Sequence, residues 1–303
     1  MSEIANTPAL GAAGAGDVAR GRSLAMALLE TWRRFRRNRL AVIGLVLLAF
    51  VLVLASAASI VSPGGPFAMT GQRLQPPDAQ HLLGTDNLGR DIFTGVMYGA
   101  RTSLLAGFLS TLLAVVIGVV VGAIAGFYGG RVDDLLMRIT EIFQVVPRFF
   151  LALIIAAFFG PSLWGIIFII GVLSWPDIAR LLRAEFLTFR ERPFVVAARA
   201  YGAGNLELIA VEIMPNALPP VIVAGALQVA SAVLLEASLS FLGIGDPNLM
   251  SWGTMLNNAQ QYLQKAWWTA AFPGIAICIM TLGVALIADG LNDALNPRLK
   301  EVG

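Results

Sequence analysis

Long apolar blocks, separated by polar segments rich in glycine and proline, run through this sequence. The first block holds 21 residues without a charge, and a helix that rises about 1.5 Å per residue needs about 20 residues to cross the hydrocarbon of a bilayer. Pro147 should bend the third block, and Gly160-Pro161-Ser162 should separate it from the fourth. The pattern predicts an all-α membrane protein with six transmembrane helices. The predicted spans are residues 40–60, 104–130, 139–159, 163–179, 217–241 and 267–288.

The segments around these spans divide the chain further. Residues 61–101 contain many prolines and glycines and should form a mostly irregular segment outside the bilayer. Residues 23–39 combine helical apolar spacing with a basic flank, which indicates either a helix at the membrane surface or a helical extension of the first span. The predicted units are a tail with a basic interfacial helix (1–39), the first span (40–60), an external segment (61–101), a membrane core (102–290) that includes a polar loop (180–216), and a C-terminal tail (291–303).

Three glycines in the second block, Gly118, Gly122 and Gly126, repeat every four residues. They share one face of the predicted helix, where the absence of side chains lets another helix backbone approach closely. We expect that helix within this chain; the alternative is a helix of a second subunit.

The composition agrees with a membrane location and narrows the chemistry. Of 303 residues, 57% are hydrophobic and 13% are charged, whereas soluble domains have about 25% charged residues. A single cysteine, Cys278, and a single histidine, His81, leave no internal disulfide and disfavour a zinc site or a histidine-based catalytic triad. A net charge of +2 gives little reason to expect nucleic acid binding. We therefore predict no catalytic residue, no metal site and no nucleic acid partner.

The positions of the basic residues predict the orientation. Of 21 arginines and lysines, sixteen fall in the two tails and in the segments that follow the second and fourth spans, four fall in the other connecting segments, and Arg148 lies inside a span. Cytoplasmic segments of membrane proteins carry the excess of arginine and lysine. Both termini and the loop 180–216 should therefore be cytoplasmic, and residues 61–101 should be external.

The polar loop between the fourth and fifth spans is too long to be a structureless connection in a compact protein. Pro193 can start a short helix that continues to Tyr201, after which Gly202 permits a turn. Asn205 can cap a second helix, which should end at Pro215. The loop is therefore predicted to form two short helices that project into the cytoplasm.

Two runs in this loop carry a resemblance to a known family: 197–202 (Ala-Ala-Arg-Ala-Tyr-Gly) and 213–216 (Ile-Met-Pro-Asn). Together they resemble the EAA loop of ABC importer permeases, in which a coupling helix docks into a groove of the ATPase subunit. Val196 stands where the motif has its glutamate, so the polar contact of that glutamate is not carried over. The residues expected to take part in coupling are Ala197, Ala198, Arg199, Ala200, Gly202, Ala203, Ile213 and Pro215.

Further motifs extend the resemblance along the chain and narrow it to the peptide/opine/nickel group, on the side of the dipeptide and oligopeptide permease C subunits. The sequence departs from that family's pattern at Thr94-Gly95, so no role is assigned to those two positions. The motifs are 32–38 (Trp-Arg-Arg-Phe-Arg-Arg-Asn), 83–86 (Leu-Gly-Thr-Asp) with 89–91 (Gly-Arg-Asp), 238–243 (Ser-Leu-Ser-Phe-Leu-Gly) with 251–253 (Ser-Trp-Gly), and 289–291 (Asp-Gly-Leu) with 293–295 (Asp-Ala-Leu) and 297–298 (Pro-Arg).

The motif in the external segment is predicted to contact the extracytoplasmic partner or to gate its access. The alternative is a self-contained plug that stabilises the outer mouth. The motif residues are Gly84, Asp86, Gly89, Arg90 and Asp91.

The resemblance implies a type I ABC importer permease-like fold with a cytoplasmic coupling helix, in a bacterial or archaeal inner membrane. It implies a subunit that forms half of a translocation path for peptides by alternating access, or for nickel chelates, opines or glutathione-like substrates. The expected partners are a second permease subunit, two ATPase subunits, an extracytoplasmic substrate-binding protein and membrane lipid. Neither lysine follows a glycine in a phosphate-binding loop, so no cofactor is expected in this chain, and ATP and magnesium should bind to the ATPase partners. A secondary transporter that works without ATPase partners is the rival class.

Charged residues inside the predicted spans are candidates for function because they are costly in hydrocarbon. Glu236 is predicted to face the substrate path, and the alternative is a structural hydrogen bond between helices. Arg148 is expected to extend toward the membrane surface or to pair with a nearby carboxylate. Glu141 and Asp177 complete the set.

Overall fold

The computed structural model describes residues 29–295, and these residues form helices and connecting segments with no β-sheet, only two isolated bridges at Met69–Arg90 and Thr85–Asp91. Five of their helices are long and apolar enough to cross a membrane, and a bent pair would make a sixth span. The helices are α1 (Arg39–Val61), α2 (Ile92–Tyr128), α3 (Gly130–Val145), α4 (Arg148–Phe159), α5 (Leu163–Phe189), α6 (Pro193–Ala200), α7 (Asn205–Phe241), α8 (Trp252–Ala259) and α9 (Trp268–Leu295).

The third predicted span consists of two helices, α3 and α4, that meet at 81°. Between them Val146 has an extended backbone (φ −93°, ψ 133°) and Pro147 follows. A residue that precedes proline is disfavoured in the helical region, and proline has no N–H to continue the hydrogen-bond ladder. The bend at Pro147 is confirmed, and it is sharp enough to end one helix and begin another.

Several helices extend beyond the predicted spans. α2 begins at Ile92 rather than at residue 104, so the irregular external segment ends ten residues before the predicted boundary at 101. α5 continues to Phe189, well into the predicted loop, and α9 continues to Leu295 beyond the predicted boundary at 290. A stretch without charges shows only the part of a helix that lies in the hydrocarbon. The helix itself can be longer, because its backbone hydrogen bonds continue into the polar region.

α2 and α5 pack along the predicted glycine face. A Cβ atom added to Gly118 would lie 2.6 Å from the Cβ of Ile178, and one added to Gly122 would lie 2.5 Å from the carbonyl oxygen of Ala179. Both distances are too short for van der Waals contact, so the two helices lie this close only because the side chains are absent. The partner helix belongs to this chain, as expected.

Residues 29–37 are helical and are separated from α1 by Asn38. The Asn38 side-chain oxygen accepts hydrogen bonds from the backbone N–H groups of Leu40 and Ala41 (3.0 and 3.2 Å). An N-cap of this kind starts a new helix, so the segment is a separate helix and the alternative of a continuous extension of the first span is wrong. Residues 1–28 and 296–303 lie outside the described residues, and with them the start of the basic helix and most of both predicted tails.

One end of the bundle, called the terminus end, brings the first and last described helices together. The side-chain amide of Asn38 donates to the carboxylate of Asp293 (Nδ2 to Oδ2, 2.9 Å). α5 also ends there, and the Arg190 side chain that follows it donates to the carbonyl oxygen of Gly126 near the end of α2 (3.3 Å). The short helix α6 therefore lies at the terminus end.

The opposite end, called the capped end, carries two connecting segments, residues 62–91 and 242–267. The hydroxyl groups of Ser62 and Thr94 lie 2.8 Å apart, which joins the end of α1 to the start of α2. α8 packs there against α7 and α9, and its indole Trp252 is buried. The irregular segment 62–91 therefore lies over the ends of the spans.

Candidate functional site

α6 is attached to the bundle through its inner face. Val195 is fully buried, in a cluster with Leu182, Phe186, Leu208 and Ile213 from α5 and α7. Because the side chain of Val195 packs on both spans, a movement of α6 must displace the ends of α5 and α7 or break this contact. The first of the two predicted loop helices is confirmed.

The outer face of the same segment is apolar and exposed. Tyr201 is 93% exposed and Leu206 is 81% exposed, and Phe194 and Val196 are exposed as well. These four side chains form what we call the outer loop surface. Large apolar groups exposed in one short polar segment are a candidate interaction surface.

The predicted coupling residues divide between the two faces. Ala198 and Ala203 pack against the inner cluster and Ile213 is buried within it. Gly202 has a φ of +94°, which favours glycine, and a Cβ added there would meet only open space. The others, Ala197, Arg199, Ala200 and Pro215, are exposed.

The second predicted loop helix differs from the structure. It does not end at Pro215 but continues into the fifth span through one π-helical stretch, Leu208–Ile213. The wider π turn shifts the hydrogen-bond acceptors just before the proline, so the missing N–H of Pro215 interrupts no α-helical ladder. The helix that starts at Asn205 is therefore one continuous element with the span.

At the capped end, the two glycines of the external motif shape the backbone of segment 62–91. Gly84 has a φ of +79° and Gly89 a φ of +77°. A Cβ on Gly84 would lie 2.7 Å from both the carbonyl oxygen of Gln75 and the Nε1 atom of Trp268. Both the conformation and the close approach therefore require glycine at position 84.

The two carboxylates of the motif bind backbone N–H groups. Asp86 Oδ1 accepts from Leu88 N (2.7 Å) and Arg90 N (2.9 Å). Asp91 is the N-cap of α2, because its Oδ1 accepts from Thr94 N at 2.7 Å. These contacts stabilise a turn and a helix start, which the sequence reasoning did not assign.

His81 and Asp78 extend this hydrogen-bonded network. His81 Nδ1 lies 2.9 Å from Asp91 Oδ2. The hydrogen bond from the backbone N–H of His81 to Asp78 Oδ1 (2.6 Å) lowers the pKa of the Asp78 carboxyl, and the side-chain amide of Gln75 adds to the effect. The charged form of Asp78 therefore stabilises this part of the segment.

Two tryptophans hold the capped end to the spans. Trp268 Nε1 donates to the carbonyl oxygen of Thr85 (3.2 Å), and Trp252 Nε1 donates to that of Val96 (3.0 Å). Arg90 lies over the ring of Phe67, with its guanidinium carbon 5.0 Å from the ring centroid. These contacts agree with the alternative of a self-contained plug. Contact of the motif with an extracytoplasmic partner stays a prediction.

Glu236 lies inside the bundle rather than on an open wall. Its side chain is 1% exposed and accepts hydrogen bonds from Ser103 (3.1 Å) and Ser240 (2.7 Å). Ser103 belongs to α2, so the contact joins α2 to α7. The structure therefore shows the alternative, a structural hydrogen bond between helices. This geometry gives no support to a position of Glu236 on the substrate path.

Two ion pairs link the broken third span to α5. Close to the terminus end, Arg183 donates from Nε and from Nη2 to the two carboxylate oxygens of Asp133, each at 2.5 Å. Farther along, Arg148 Nη2 lies 2.5 Å from Asp177 Oδ2. The expectation that Arg148 pairs with a nearby carboxylate is confirmed, while the Asp133–Arg183 pair was not predicted because its members lie fifty residues apart.

Comparison with known proteins identifies the family. Residues 118–301 match the family described as "Binding-protein-dependent transport system inner membrane component". The chain belongs to this family of membrane permeases. Residues 28–77 also match the N-terminal TM domain of oligopeptide transport permease C.

Curated relatives of this permease share most of its length. It is 43% identical over 282 residues to the dipeptide transport system permease protein DppC of Escherichia coli K12, covering 90% of this chain and 94% of that one. It is 40% identical over 273 residues to the protein of the same name from Alkalihalophilus pseudofirmus, covering 89% and 90%. It is 39% identical over 281 residues to the di/tripeptide permease DppC of Pseudomonas aeruginosa, covering 90% and 93%.

The permease also resembles a solved transporter in fold. An inward-facing structure of the MetNI methionine ABC transporter aligns with a TM-score of 0.55 and 20% identity, covering 67% of this chain and 96% of that one. The predicted fold class, an all-α membrane protein of the type I ABC importer permease kind, is confirmed. The multi-pass inner-membrane location also follows from the family and the apolar helices.

Proposed function

We propose that this permease is one of two membrane subunits of an ATP-driven importer of di- or oligopeptides, and that its outer loop surface binds an ATPase subunit. The observation that carries the proposal is the two-faced structure of α6. Val195 is buried against α5 and α7, whereas Tyr201 and Leu206 are exposed on the other side. Such a helix binds a partner outside and transmits its movement to two spans inside.

The mechanism is alternating access. ATP binding draws the ATPase subunits together and moves α6, which tilts α5 and α7 as units because their ends share one packed cluster. α5 carries α2 with it through the glycine contact at Gly118 and Gly122. The path opens alternately to the two sides of the membrane as these helices move.

Other chains supply the remaining functions. ATP and magnesium bind to the two ATPase subunits, and a second permease subunit forms the other half of the path. An extracytoplasmic binding protein delivers the cargo at the capped end. Peptide is the proposed cargo because the relatives that share about 40% identity with this chain are named for dipeptides.

Both termini and the outer loop surface are proposed to be cytoplasmic, on the basis of the excess of arginine and lysine in those segments. Single cysteines at Gln80 and Asn205, both exposed, test this orientation in a Cys278→Ser background. An impermeant thiol reagent added to whole cells should label Gln80→Cys and not Asn205→Cys. Labelling of both from outside contradicts the orientation.

The function is tested by expressing the permease with its proposed partners: a second permease subunit, two ATPase subunits and a binding protein. The complex should co-purify and should drive uptake of radiolabelled alanyl-alanine that depends on ATP. A complex with an inactivated ATPase is the control. Uptake of a nickel chelate but not of the dipeptide contradicts the peptide assignment, and uptake by the permease subunits without ATPases contradicts the importer class.

A further inference from the structure

A polar cluster lies on the side of α5 that faces the broken third span. Arg148 Nη2 lies 2.5 Å from Asp177 Oδ2, and the side-chain amide of Gln144 donates to Asp177 Oδ1 at 2.9 Å. Arg180 Nη2 lies 4.0 Å from the same carboxylate. Asp177 therefore has two cations and one amide around it.

Packing against α2 indicates the depth of the cluster. Asp177 follows Pro176 in α5. On the other side, Ile178 packs at the level of Gly118, where an added Cβ would lie 2.6 Å away. Gly118 is next to the middle of the charge-free block 104–130. The contact with α2 therefore places Asp177 near mid-depth in the bilayer.

The charged groups of the cluster are not enclosed by this chain. The Asp177 side chain is 48% exposed and the Arg148 side chain 33% exposed. Ionised side chains at mid-depth face a protein interior or a water-filled cavity, not lipid. Glu236 illustrates the enclosed case, since it is buried between α2 and α7. The face with Asp177 must therefore line water or contact another chain.

We propose that the Arg148–Asp177 pair lines the translocation path and binds the charged termini of a peptide in transit, an inference that rests on the proposed function. The guanidinium of Arg148 can donate two hydrogen bonds to a peptide carboxylate, and Asp177 can accept from a peptide ammonium. A zwitterion can replace both partners at once, so the pair opens without leaving an uncompensated charge in the membrane. An uncharged or singly charged solute cannot do this.

Cysteine accessibility tests the proposal in membranes that contain the complete transporter with Cys278→Ser. Gln144→Cys is the main probe, because it leaves the ion pair intact, and Asp177→Cys is the second. Val120→Cys is the control, since Val120 is an exposed apolar residue of α2 at the same depth. A charged methanethiosulfonate should modify Gln144→Cys at least tenfold faster than Val120→Cys. Alanyl-alanine supplied during ATP-driven transport should slow the reaction at least threefold, and N-acetyl-alanyl-alanine amide should not.

The outcomes separate this inference from the proposed function. Equally slow modification of Gln144→Cys, Asp177→Cys and Val120→Cys means that lipid or the second permease subunit covers the cluster, and this overturns the proposal. Fast modification that alanyl-alanine does not slow, in a transporter that does import it, overturns the peptide contact. A transporter that imports no peptide at all refutes the proposed function, whereas fast modification of the cluster relative to Val120→Cys would remain.

Discussion

The two ends of the bundle hold their non-membrane segments in opposite ways. At the capped end, Asp86 accepts hydrogen bonds from backbone N–H groups of segment 62–91, and the buried indole of Trp268 holds the segment to the spans. At the terminus end, α6 buries one valine and leaves Tyr201 and Leu206 exposed. The capped end is held by contacts within this chain, whereas the outer loop surface leaves large apolar side chains exposed, and the proposed function places an ATPase subunit there.

The largest effect that tests this comparison is expected at Trp268. Trp268→Ala removes a buried indole and its hydrogen bond to Thr85 O, and should destabilise the permease by about 3–5 kcal/mol. The adjacent Trp267 is exposed and is the matched control. Thermal unfolding of the purified complex should show a large loss for Trp268→Ala and almost none for Trp267→Ala. Similar losses for both would mean that the capped end is not held by its buried indole.

At the other end, Tyr201→Ala should weaken binding of the ATPase subunit without destabilising the permease. An aromatic anchor at the centre of an interface commonly contributes about 2 kcal/mol or more, and Tyr201 has almost no contact within this chain. ATPase co-purification and the melting temperature of the isolated membrane subunits measure the two quantities. If the melting temperature falls while co-purification is unchanged, Tyr201 belongs to the bundle and not to a docking surface.

A smaller effect distinguishes the two faces of α6 through neighbouring alanines. Ala198 packs against the inner cluster, so Ala198→Trp should cost about 1–3 kcal/mol of stability through overpacking. Ala197 is exposed, so Ala197→Trp should leave membrane insertion and stability intact and should reduce ATP-linked uptake. Uptake and melting temperature are compared at matched membrane expression. Wild-type uptake with Ala197→Trp would reject its part in docking.

The smallest expected effect is a pH dependence at the capped end. The hydrogen bond from His81 N lowers the pKa of Asp78 below its ordinary value of 3.8. A lowered carboxyl pKa adds stability that is fully present above pH 3.8 and is lost as the pH falls through the lowered value. After correction for the intrinsic pH dependence of exchange, the protection of the Gln80 and His81 amides should therefore fall below pH 3.8, and Asp78→Asn should remove this fall. Exchange that is equally pH-dependent in Asp78→Asn would assign it to another group.

The sequence predicted the architecture well because the bilayer imposes a simple rule on it. A span needs about 20 apolar residues, so the five long apolar helices and the bent pair could be found by inspection. The start of α2 at Ile92 could not be found in this way, since the first turns of that helix lie where hydropathy carries no helical signal. Its N-cap, Asp91, had been assigned only as part of a motif.

The candidate sites were predicted less completely. The resemblance located α6, but an eight-residue helix is too short for its apolar spacing to distinguish the inward Ala198 from the outward Ala197. Pro215 was taken as a helix end because proline usually ends helices, and the π turn that accommodates it has no simple sequence signal. The partner of Glu236, Ser103, lies 133 residues away, a distance over which hydrophobic periodicity gives no information about pairing.

Because α7 is continuous, it connects the outer loop surface directly to the capped end. Its 37 residues, from Asn205 beside the outer loop surface to Phe241 at the capped end, measure about 55 Å at about 1.5 Å per residue. A tilt of about 5° at one end therefore displaces the other by roughly 5 Å. The side-chain amides of Asn257 and Gln260 donate to the carbonyl oxygen of Phe241 (2.6 and 3.1 Å). If an ATPase subunit moves the short loop helix as proposed, α7 connects that movement directly to the segment that follows it at the capped end.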